Sequence, residues 1–171
     1  SSSASIQRSS ARPPECNAFR SQGPLTNDYT LHVGTPAKED YLGLRIRAGL
    51  TPKTAEGAAA GLPNTVFAVV IRKDGEAVGM GRVVGDGGLF FQVVDIAVLP
   101  EHQGRGLGKA IVGALVDHLR ATAPEGAHVS LMADGEAHRL YAQFGFALTA
   151  PRSVGMAFVV QERRAGVVPK Q

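Results

Sequence analysis

Apolar and polar residues alternate along much of the chain, which is the pattern of half-buried β-strands. The alternation predicts strands over residues 29–33, 65–72, 76–84, 89–99, 129–133 and 153–160. Lys73-Asp74-Gly75 separates the second strand from the third, and Asp-Gly is a strong signal of a hairpin turn. The second, third and fourth strands are therefore expected to form an antiparallel meander.

Helical periodicity fills the gaps between these strands. Thr35-Pro36 and Thr51-Pro52 each place a capping residue before a proline, which predicts one helix through about residue 48 and a second ending near residue 61. A third helix is expected over 106–123, where leucine or isoleucine recurs every fourth residue from Leu107 to Leu119. Residues 135–144 give a fourth helix, with Gly145 as its C-terminal cap.

The order of these elements is β-α-α-β-β-β-α-β-α-β. It predicts an α/β (α+β) fold, with a mixed, mostly antiparallel sheet and helices on both faces. One parallel crossing is expected, from strand 89–99 through the long helix to strand 129–133.

The ends of the chain differ from its body. Residues 1–27 are rich in Ser, Arg and Pro without apolar periodicity and are expected to be a disordered tail, and 161–171 a short basic tail. The folded domain is thus expected at 28–160. The single cysteine, Cys16, cannot form an internal disulfide, which favours a reducing compartment. A cytoplasmic location is expected, with an organellar address in residues 1–27 left open.

Charge and hydropathy limit the classes of partner that this chain is expected to bind. The net charge is +3, but residues 28–160 contain 12 Lys/Arg against 13 Asp/Glu, so the excess of positive charge lies in the tails. Aromatic residues, which would stack on bases, are only 6% of the chain. No apolar run approaches the roughly 20 residues of a membrane span. Neither a nucleic-acid nor a membrane partner is expected.

The segment with the clearest chemistry runs from Gln103 to Lys109, between strand 89–99 and the long helix. The first backbone N–H groups of a helix lack partners within it and favour negative charge, so glycines here allow a phosphate to approach. A Walker loop is excluded because Ala110 follows Gly108-Lys109, and a dinucleotide fingerprint would need a glycine at position 109. The pattern Q/R-x-x-G-x-G/A does fit, as Gln103-x-x-Gly106-x-Gly108.

Three motifs together resemble the GNAT superfamily of acyl-CoA-dependent N-acyltransferases. Ile96-Ala97-Val98-x-Pro100 is similar to the family's fourth strand, and Gln103–Gly108 to its pyrophosphate loop. Ala137-x-x-Leu140-Tyr141-x-x-Phe144-Gly145-Phe146 is similar to its fourth helix and the turn that follows. The resemblance covers residues 89–146.

The resemblance implies acetyl-CoA as the bound cofactor. The family's fourth and fifth strands splay apart, and the pantetheine arm pairs with the free edge of the fourth strand at Ile96, Ala97 and Val98. The Val98 N–H is then the expected donor to the thioester carbonyl. The pyrophosphate is expected on the loop and first helical turn, formed by Gln103, Gly104, Arg105, Gly106, Leu107, Gly108 and Lys109.

The resemblance also implies a catalytic acid, whereas the base is inferred from the residues themselves, because a primary ammonium must lose a proton before it attacks. Tyr141 is expected to bind the cofactor and to protonate the departing thiolate as general acid. Asp134 and His138 are expected beside the cofactor, although relatives often have Asn at the position of Asp134. Asp95 is the candidate general base, with Gln92 and His138 as lesser candidates. Strand alternation would place Asp95 with Ala97 on one face of the sheet; a buried acid that caps a neighbouring loop is the alternative.

These expectations define an N-acetyltransferase that acts on a primary amine, most simply that of a small molecule, without a metal site. The acceptor is expected near the first two helices, where Arg45 or Arg47 could hold an anionic group. Two alternatives stay open: a protein or peptide N-acetyltransferase with an open, acidic acceptor groove, and an acyl-CoA-binding regulatory module without turnover. A homodimer is a further expectation.

Overall fold

A computed structural model describes residues 28–160. The strands are β1 (Tyr29–Val33), β2 (Phe67–Lys73), β3 (Glu76–Gly85), β4 (Phe90–Val98) and β5 (His128–Leu131). The helices are α1 (Lys38–Arg47), α2 (Ala55–Gly61), α3 (Leu107–Thr122) and α4 (His138–Ala142), with 3₁₀ turns at Leu62–Asn64, Pro100–His102 and Gly135–Ala137. The expected tails, including Cys16, lie outside the described residues.

The five strands form one sheet in the order β1-β2-β3-β4-β5. β1 to β4 pair antiparallel with their neighbours, and β5 pairs parallel with β4. The expected meander and the parallel crossing through α3 are confirmed, as is the mixed, mostly antiparallel α/β fold.

Helices cover both faces of this sheet. A Cβ built on Gly81 of β3 would lie 2.4 Å from Ile111 Cγ2 of α3, whereas the next residue, Arg82, lies against the Tyr41 ring of α1. Neighbouring strand residues point to opposite faces, so α1 and α3 lie on opposite sides. The predicted apolar stripe of α3 is buried in the core: Leu107, Ile111, Leu115 and Leu119 are all at most 4% exposed.

Two predicted helix starts are wrong, by two residues for α1 and by three for α2. α1 begins after Ala37 rather than Thr35, and its first turn carries acidic residues that suit the positive end of the helix dipole. α2 begins after Thr54, whose hydroxyl accepts a hydrogen bond from the Gly57 N–H at 3.0 Å. Thr51 instead lies in the loop, where its carbonyl oxygen accepts hydrogen bonds from the Arg45 guanidinium.

The predicted final strand, residues 153–160, does not form. These residues are exposed and lie outside the sheet, whose last strand in the described part of the chain is β5. Their alternating apolar residues fit one face of a strand, but a strand is stable only when its backbone has a partner. The preceding helix is also shorter than expected, since residues 135–137 form a 3₁₀ turn.

Candidate active site

β4 and β5 pair over only part of their length. The parallel ladder runs from Phe90–His128 to Val93–Leu131 and stops there. On its other edge, β4 stays paired with β3 as far as Val98. Residues 94–98 therefore have one edge without a strand partner among the described residues, and this is the splay that the resemblance implies.

An extra residue in β4 marks the place where the strands part. The register between β3 and β4 shifts after Met80 and before Arg82, so that Asp95 and Ile96 together lie opposite Gly81. Asp95 takes a left-handed backbone conformation, with φ at 58°. This arrangement is a β-bulge, which bends a strand locally and increases its twist.

The bulge corrects the expected alternation of side chains. Asp95 and Ala97 were expected on one face, with Val94 on the other. Val94 instead pairs directly with Arg82, so the side chains of these two residues lie on the same face. The Arg82 side chain contacts Asp95, so Val94 and Asp95 share that face. The period of two breaks at Asp95, where the backbone leaves the extended conformation.

Val98 presents its backbone to the open edge. The N–H of the next residue, Leu99, donates to the Val78 carbonyl of β3 at 2.9 Å. Backbone groups alternate in direction along a strand, so the Val98 N–H points away from β3. The Val98 carbonyl oxygen accepts a hydrogen bond from the Gln103 side-chain amide at 3.0 Å. Gln103 thus ties the glycine loop to the end of β4.

The N-terminus of α3 is open. Gly106 caps the helix in a left-handed conformation with φ at 78°, and Gly104 is left-handed at 72°. No side chain of residues 28–160 caps the first turn. The first N–H groups of this 16-residue helix therefore remain available to an anion. Arg105 and Lys109 are exposed beside them, while the Leu107 side chain is in the core.

Tyr141 forms an apolar cluster with Val112 and Val116 of α3. Ile96 of β4 and Leu131 of β5 pack against this cluster, and Tyr141 is 8% exposed. Its hydroxyl has no hydrogen-bond partner within residues 28–160. Burial raises the pKa of the Tyr141 phenol, and the negative charge of Asp134 raises it further. The phenol therefore holds its proton at neutral pH.

Asp134 and His138 lie at the entrance to α4, next to Tyr141 in the chain. Both side chains are exposed, and a His138 Nδ1 contact with the Gly135 carbonyl oxygen at 3.0 Å anchors the histidine ring. Their predicted role beside the cofactor stays a prediction.

Asp95 sits in a buried network of charges. Its Oδ1 accepts a hydrogen bond from Arg45 Nη1, and its Oδ2 accepts one from Arg82 Nη1 at 2.7 Å. The side chains of Asp95, Arg45 and Arg82 are 7%, 9% and 8% exposed. Both carboxylate oxygens are thus engaged by guanidinium groups. The expected role of Asp95 as general base stays a prediction, and the geometry favours a structural one.

Tyr41 closes this network from α1. Its ring centroid lies 5.8 Å from the Arg45 guanidinium carbon and 5.5 Å from that of Arg82. Burial raises the pKa of the Tyr41 hydroxyl, and the charge of Asp95 adds to the rise. Arg45 is therefore held inside the protein rather than free for an acceptor. Arg47 is exposed and pairs with acidic side chains of the β3 start and the β4–α3 turn.

Sequence reasoning missed Arg82 and Tyr41. The sequence did contain a signal for Arg82, because a charged side chain within the apolar run of β3 needs a buried partner of opposite charge. Asp95, the one carboxylate of the neighbouring strand, is that partner. The role of Tyr41 depends on the packing of α1 against the sheet, which the local pattern does not give.

A cavity of about 230 Å³ opens next to the network. It is lined by Tyr41, Lys53, Thr54, Gly57, Ala58, Gly61, Leu62 and Arg82. Neither Asp nor Glu is among these described lining residues. A larger cavity of about 310 Å³ lies at the opposite end of α3, between Val116 and Phe146, away from the open helix N-terminus.

Comparison with known proteins agrees with this geometry. Residues 39–146 match the model of the Acetyltransferase (GNAT) family. A crystal structure of a protein of unknown function from meticillin-resistant Staphylococcus aureus, described as a probable acetyltransferase, is 44% identical, covers 77% of this chain and 99% of its own, and superposes with a TM-score of 0.74.

Two curated relatives match about half of the chain. Serotonin N-acetyltransferase 2, chloroplastic, from Oryza sativa subsp. japonica is 36% identical over 84 residues, which are 49% of this chain and 41% of the relative. The uncharacterized N-acetyltransferase ycf52 of Pyropia yezoensis is 29% identical over 83 residues, 47% of either chain. The match therefore spans less than half the length of these relatives. Fold, site geometry and family model together show that the chain belongs to the GNAT acetyltransferase family.

Proposed function

We propose that this protein is an N-acetyltransferase that transfers an acetyl group from acetyl-CoA to the primary amine of a small molecule. One observation carries the proposal: the unpaired edge of β4, the uncapped N-terminus of α3 and the Tyr141 side chain meet at the split between β4 and β5. A strand edge suits the amide-containing pantetheine arm, a helix N-terminus suits the pyrophosphate, and a phenol suits the thiolate.

The open surroundings of the glycine loop support a pyrophosphate site. Within residues 28–160, no atom lies within 4 Å of a Cβ built on Gly104 or Gly106, so the backbone there is accessible to a ligand. A Cβ on Gly108 would meet only Leu140 Cδ2, at 3.6 Å, so packing alone does not require glycine at that position. The N–H groups of this loop and first turn would hold the phosphates, with Arg105 and Lys109 adding positive charge.

The residues at the split would then direct the chemistry. Acetyl-CoA supplies an acetyl group on an activated thioester. The Val98 N–H would donate to the carbonyl oxygen, where negative charge develops as the amine nitrogen attacks the carbon. As the new C–N bond forms and the C–S bond breaks, Tyr141 would give its phenol proton to sulfur. The amine must lose its own proton, for which Asp95 and His138 stay predicted acceptors. Gln92, the third candidate, carries an uncharged amide that accepts hydrogen bonds but does not take up a proton.

The cavity beside Tyr41 supports a small acceptor over a basic peptide. It is small, and its described lining residues include Lys53 and Arg82 but neither Asp nor Glu, whereas a lysine-rich tail requires an acidic groove. The rice serotonin N-acetyltransferase, which matches half of this chain, is a relative whose name specifies a small amine.

The test is calorimetric titration of the full chain with acetyl-CoA, followed by thiol release over amines, amino acids, amino sugars and lysine-containing peptides. Binding with thiol release on a small amine supports the proposal. Release only with peptides would favour the protein acetyltransferase, and binding without release on any acceptor would favour the regulatory module. Absence of binding contradicts the proposal. Propionyl-CoA in parallel measures the preference for acyl length.

Location and assembly stay predictions. No helix among the described residues is long and apolar enough to cross a membrane. The chloroplastic relative supports an organellar location as an alternative to the cytoplasm. The predicted homodimer is supported by the exposed apolar residues near the end of the described chain, such as Met156 and Phe158, at 90% and 89% exposure. Analytical ultracentrifugation decides the assembly state.

A further inference from the structure

The bulge in β4 lies between the part of the strand that pairs with β5 and the part that does not. The last pair between β4 and β5 is Val93–Leu131, and the bulge residues Asp95 and Ile96 follow within three positions. Beyond the bulge, the strand presents the open edge that ends at Val98. Whatever fixes the bulge therefore also fixes the direction of this edge.

On one face of the sheet, the bulge is held by close packing. A Cβ built on Gly81 would lie 2.8 Å from Ile96 Cδ1 and 2.4 Å from Ile111 Cγ2. The Ile96 side chain thus occupies the space that a side chain at position 81 would need. This packing anchors Ile96 but does not hold Asp95, whose side chain points to the opposite face of the sheet.

On the opposite face, the bulge is held by charge. Arg82 donates from Nη1 to Asp95 and from Nε to the Thr65 hydroxyl at 3.0 Å. Arg45 donates to the other Asp95 oxygen while its Nε and Nη2 donate to the Thr51 carbonyl oxygen, at 2.8 and 2.6 Å. The carboxylate is therefore tied at two points to neighbouring elements, which are themselves fixed.

Asp95 is also chemically suited to this backbone. Its φ of 58° lies in the left-handed region, where Asp and Asn are tolerated better than other side chains apart from glycine. A buried carboxylate with two buried guanidinium partners has strongly directional hydrogen bonds, which fix orientation as well as position. Asp95 thus links the β4 backbone to two separate elements, to α1 through Arg45 and to β3 through Arg82.

We propose that Asp95 is a positioning residue: its ion pairs with Arg45 and Arg82 hold the bulge so that the Val98 N–H keeps the direction needed at the thioester carbonyl. This rests on the proposed acetyltransferase function. It assigns to Asp95 a role other than proton acceptor, since both carboxylate oxygens serve as anchors.

The test compares Asp95→Asn with Arg82→Lys. Asparagine keeps the size and tolerates the left-handed backbone but loses the charge; lysine keeps the charge but cannot reach Asp95 and Thr65 together. We expect both variants to lower kcat/KM by about 10- to 100-fold and to weaken acetyl-CoA binding, because the strand edge is displaced. Their pH–rate profiles should keep the shape of the wild type.

Asp40→Asn is the matched control. Asp40 pairs with Arg72 at 2.6 Å, also from α1 to the sheet but away from the bulge. We expect this variant to bind acetyl-CoA as the wild type does. Circular dichroism shows whether each variant is folded, and Arg82→Lys continues the test if Asp95→Asn is not.

The outcomes separate the two roles of Asp95. A base would show as a loss of kcat in Asp95→Asn alone, with unchanged acetyl-CoA affinity and recovery at high pH, and this result would overturn the proposal. Wild-type affinity and kcat/KM in both variants would also overturn it, while leaving the acetyltransferase function intact. A wild-type protein that does not bind acetyl-CoA would overturn both.

Discussion

The two halves of β4 differ in what their backbone meets. Residues 91–93 are paired on both edges, with β3 and with β5. Beyond them, Val94, Ala97 and Val98 are paired with β3 alone, and Asp95 and Ile96 form the bulge. The first half is ordinary sheet. The second has an edge without a strand partner among the described residues, where Gln103 binds the Val98 carbonyl oxygen and the Val98 N–H remains open to an extended ligand. One strand thus supplies both the scaffold and the binding edge, and the bulge at Asp95 and Ile96 is the boundary.

The largest expected effect is at the open half. Tyr141→Phe removes the proton donor while leaving the ring in its apolar cluster with Val112 and Val116. We expect kcat to fall by about 100-fold or more, with acetyl-CoA affinity and melting temperature close to those of the wild type. Steady-state kinetics and calorimetric titration measure the two quantities separately. Equal losses in kcat and in affinity would mean that Tyr141 mainly shapes the site.

Gly81→Ala tests the packing around the bulge, which is the boundary between the two halves of β4. Its Cβ would lie 2.4 Å from Ile111 Cγ2 and 2.8 Å from Ile96 Cδ1, so the variant must displace both side chains. We expect the free energy of unfolding to fall by about 1–3 kcal/mol, measured by denaturant titration.

The control for this change is Gly43→Ala in α1, where no atom lies within 4 Å of the added Cβ. Alanine there should raise the free energy of unfolding by about 0.5–1 kcal/mol, because it restricts the unfolded chain and favours the helix. The same substitution should thus have opposite signs at the two sites. A stable Gly81→Ala protein would show that the bulge does not depend on this packing.

A smaller effect is expected at the phosphate loop. Gly108→Ala adds a methyl group that meets only Leu140 in the protein, at 3.6 Å. The fold should therefore be at least as stable. The pattern Q/R-x-x-G-x-G/A accepts alanine at this position, so we expect acetyl-CoA to bind only about twofold more weakly than in the wild type. Gly113→Ala, in the same helix but away from its N-terminus, is the control and should bind normally. An equal loss of affinity in Gly113→Ala would mean that the effect does not come from the phosphate loop.

The smallest expected effect concerns the charge beside Tyr141. Because Asp134 contributes to the raised pKa of this phenol after burial, Asp134→Asn should lower that pKa without returning it to 10.0. The raised pKa stabilises the folded state fully below pH 10, and that contribution is lost as the pH rises through the folded value. Ultraviolet titration of the phenols, with Tyr141→Phe as the reference, measures the shift. An unchanged titration would mean that the Asp134 charge is screened by solvent.

Much of the fold could be predicted because its signals are local. The apolar stripe of α3, the Asp74-Gly75 turn and the alternation along β2 and β3 each lie within one element, and the structure confirms all three. The final strand was wrong because alternation shows that a segment can be a strand, not that a partner is available.

Some residues of the site could be predicted from the sequence, and others could not. The glycine loop and Tyr141 follow from motifs, and the structure brings both to the split in the sheet. Among the partners of Asp95, Arg82 had a signal in the sequence, as a charged residue within the apolar run of β3. The bulge could not be predicted, since it changes the side-chain period without changing the composition. Arg45 lies 50 positions away in the chain, on α1, and no pattern within β4 points to it.

The most direct test of the account is amide hydrogen exchange along β4 with and without acetyl-CoA. We predict that saturating acetyl-CoA slows exchange of the Val98 amide, which points to the open edge, while residues 91–93, already paired on both sides, exchange as before. Binding that leaves Val98 unchanged, or that protects the paired half instead, would contradict the assignment of this edge as the acetyl-CoA site.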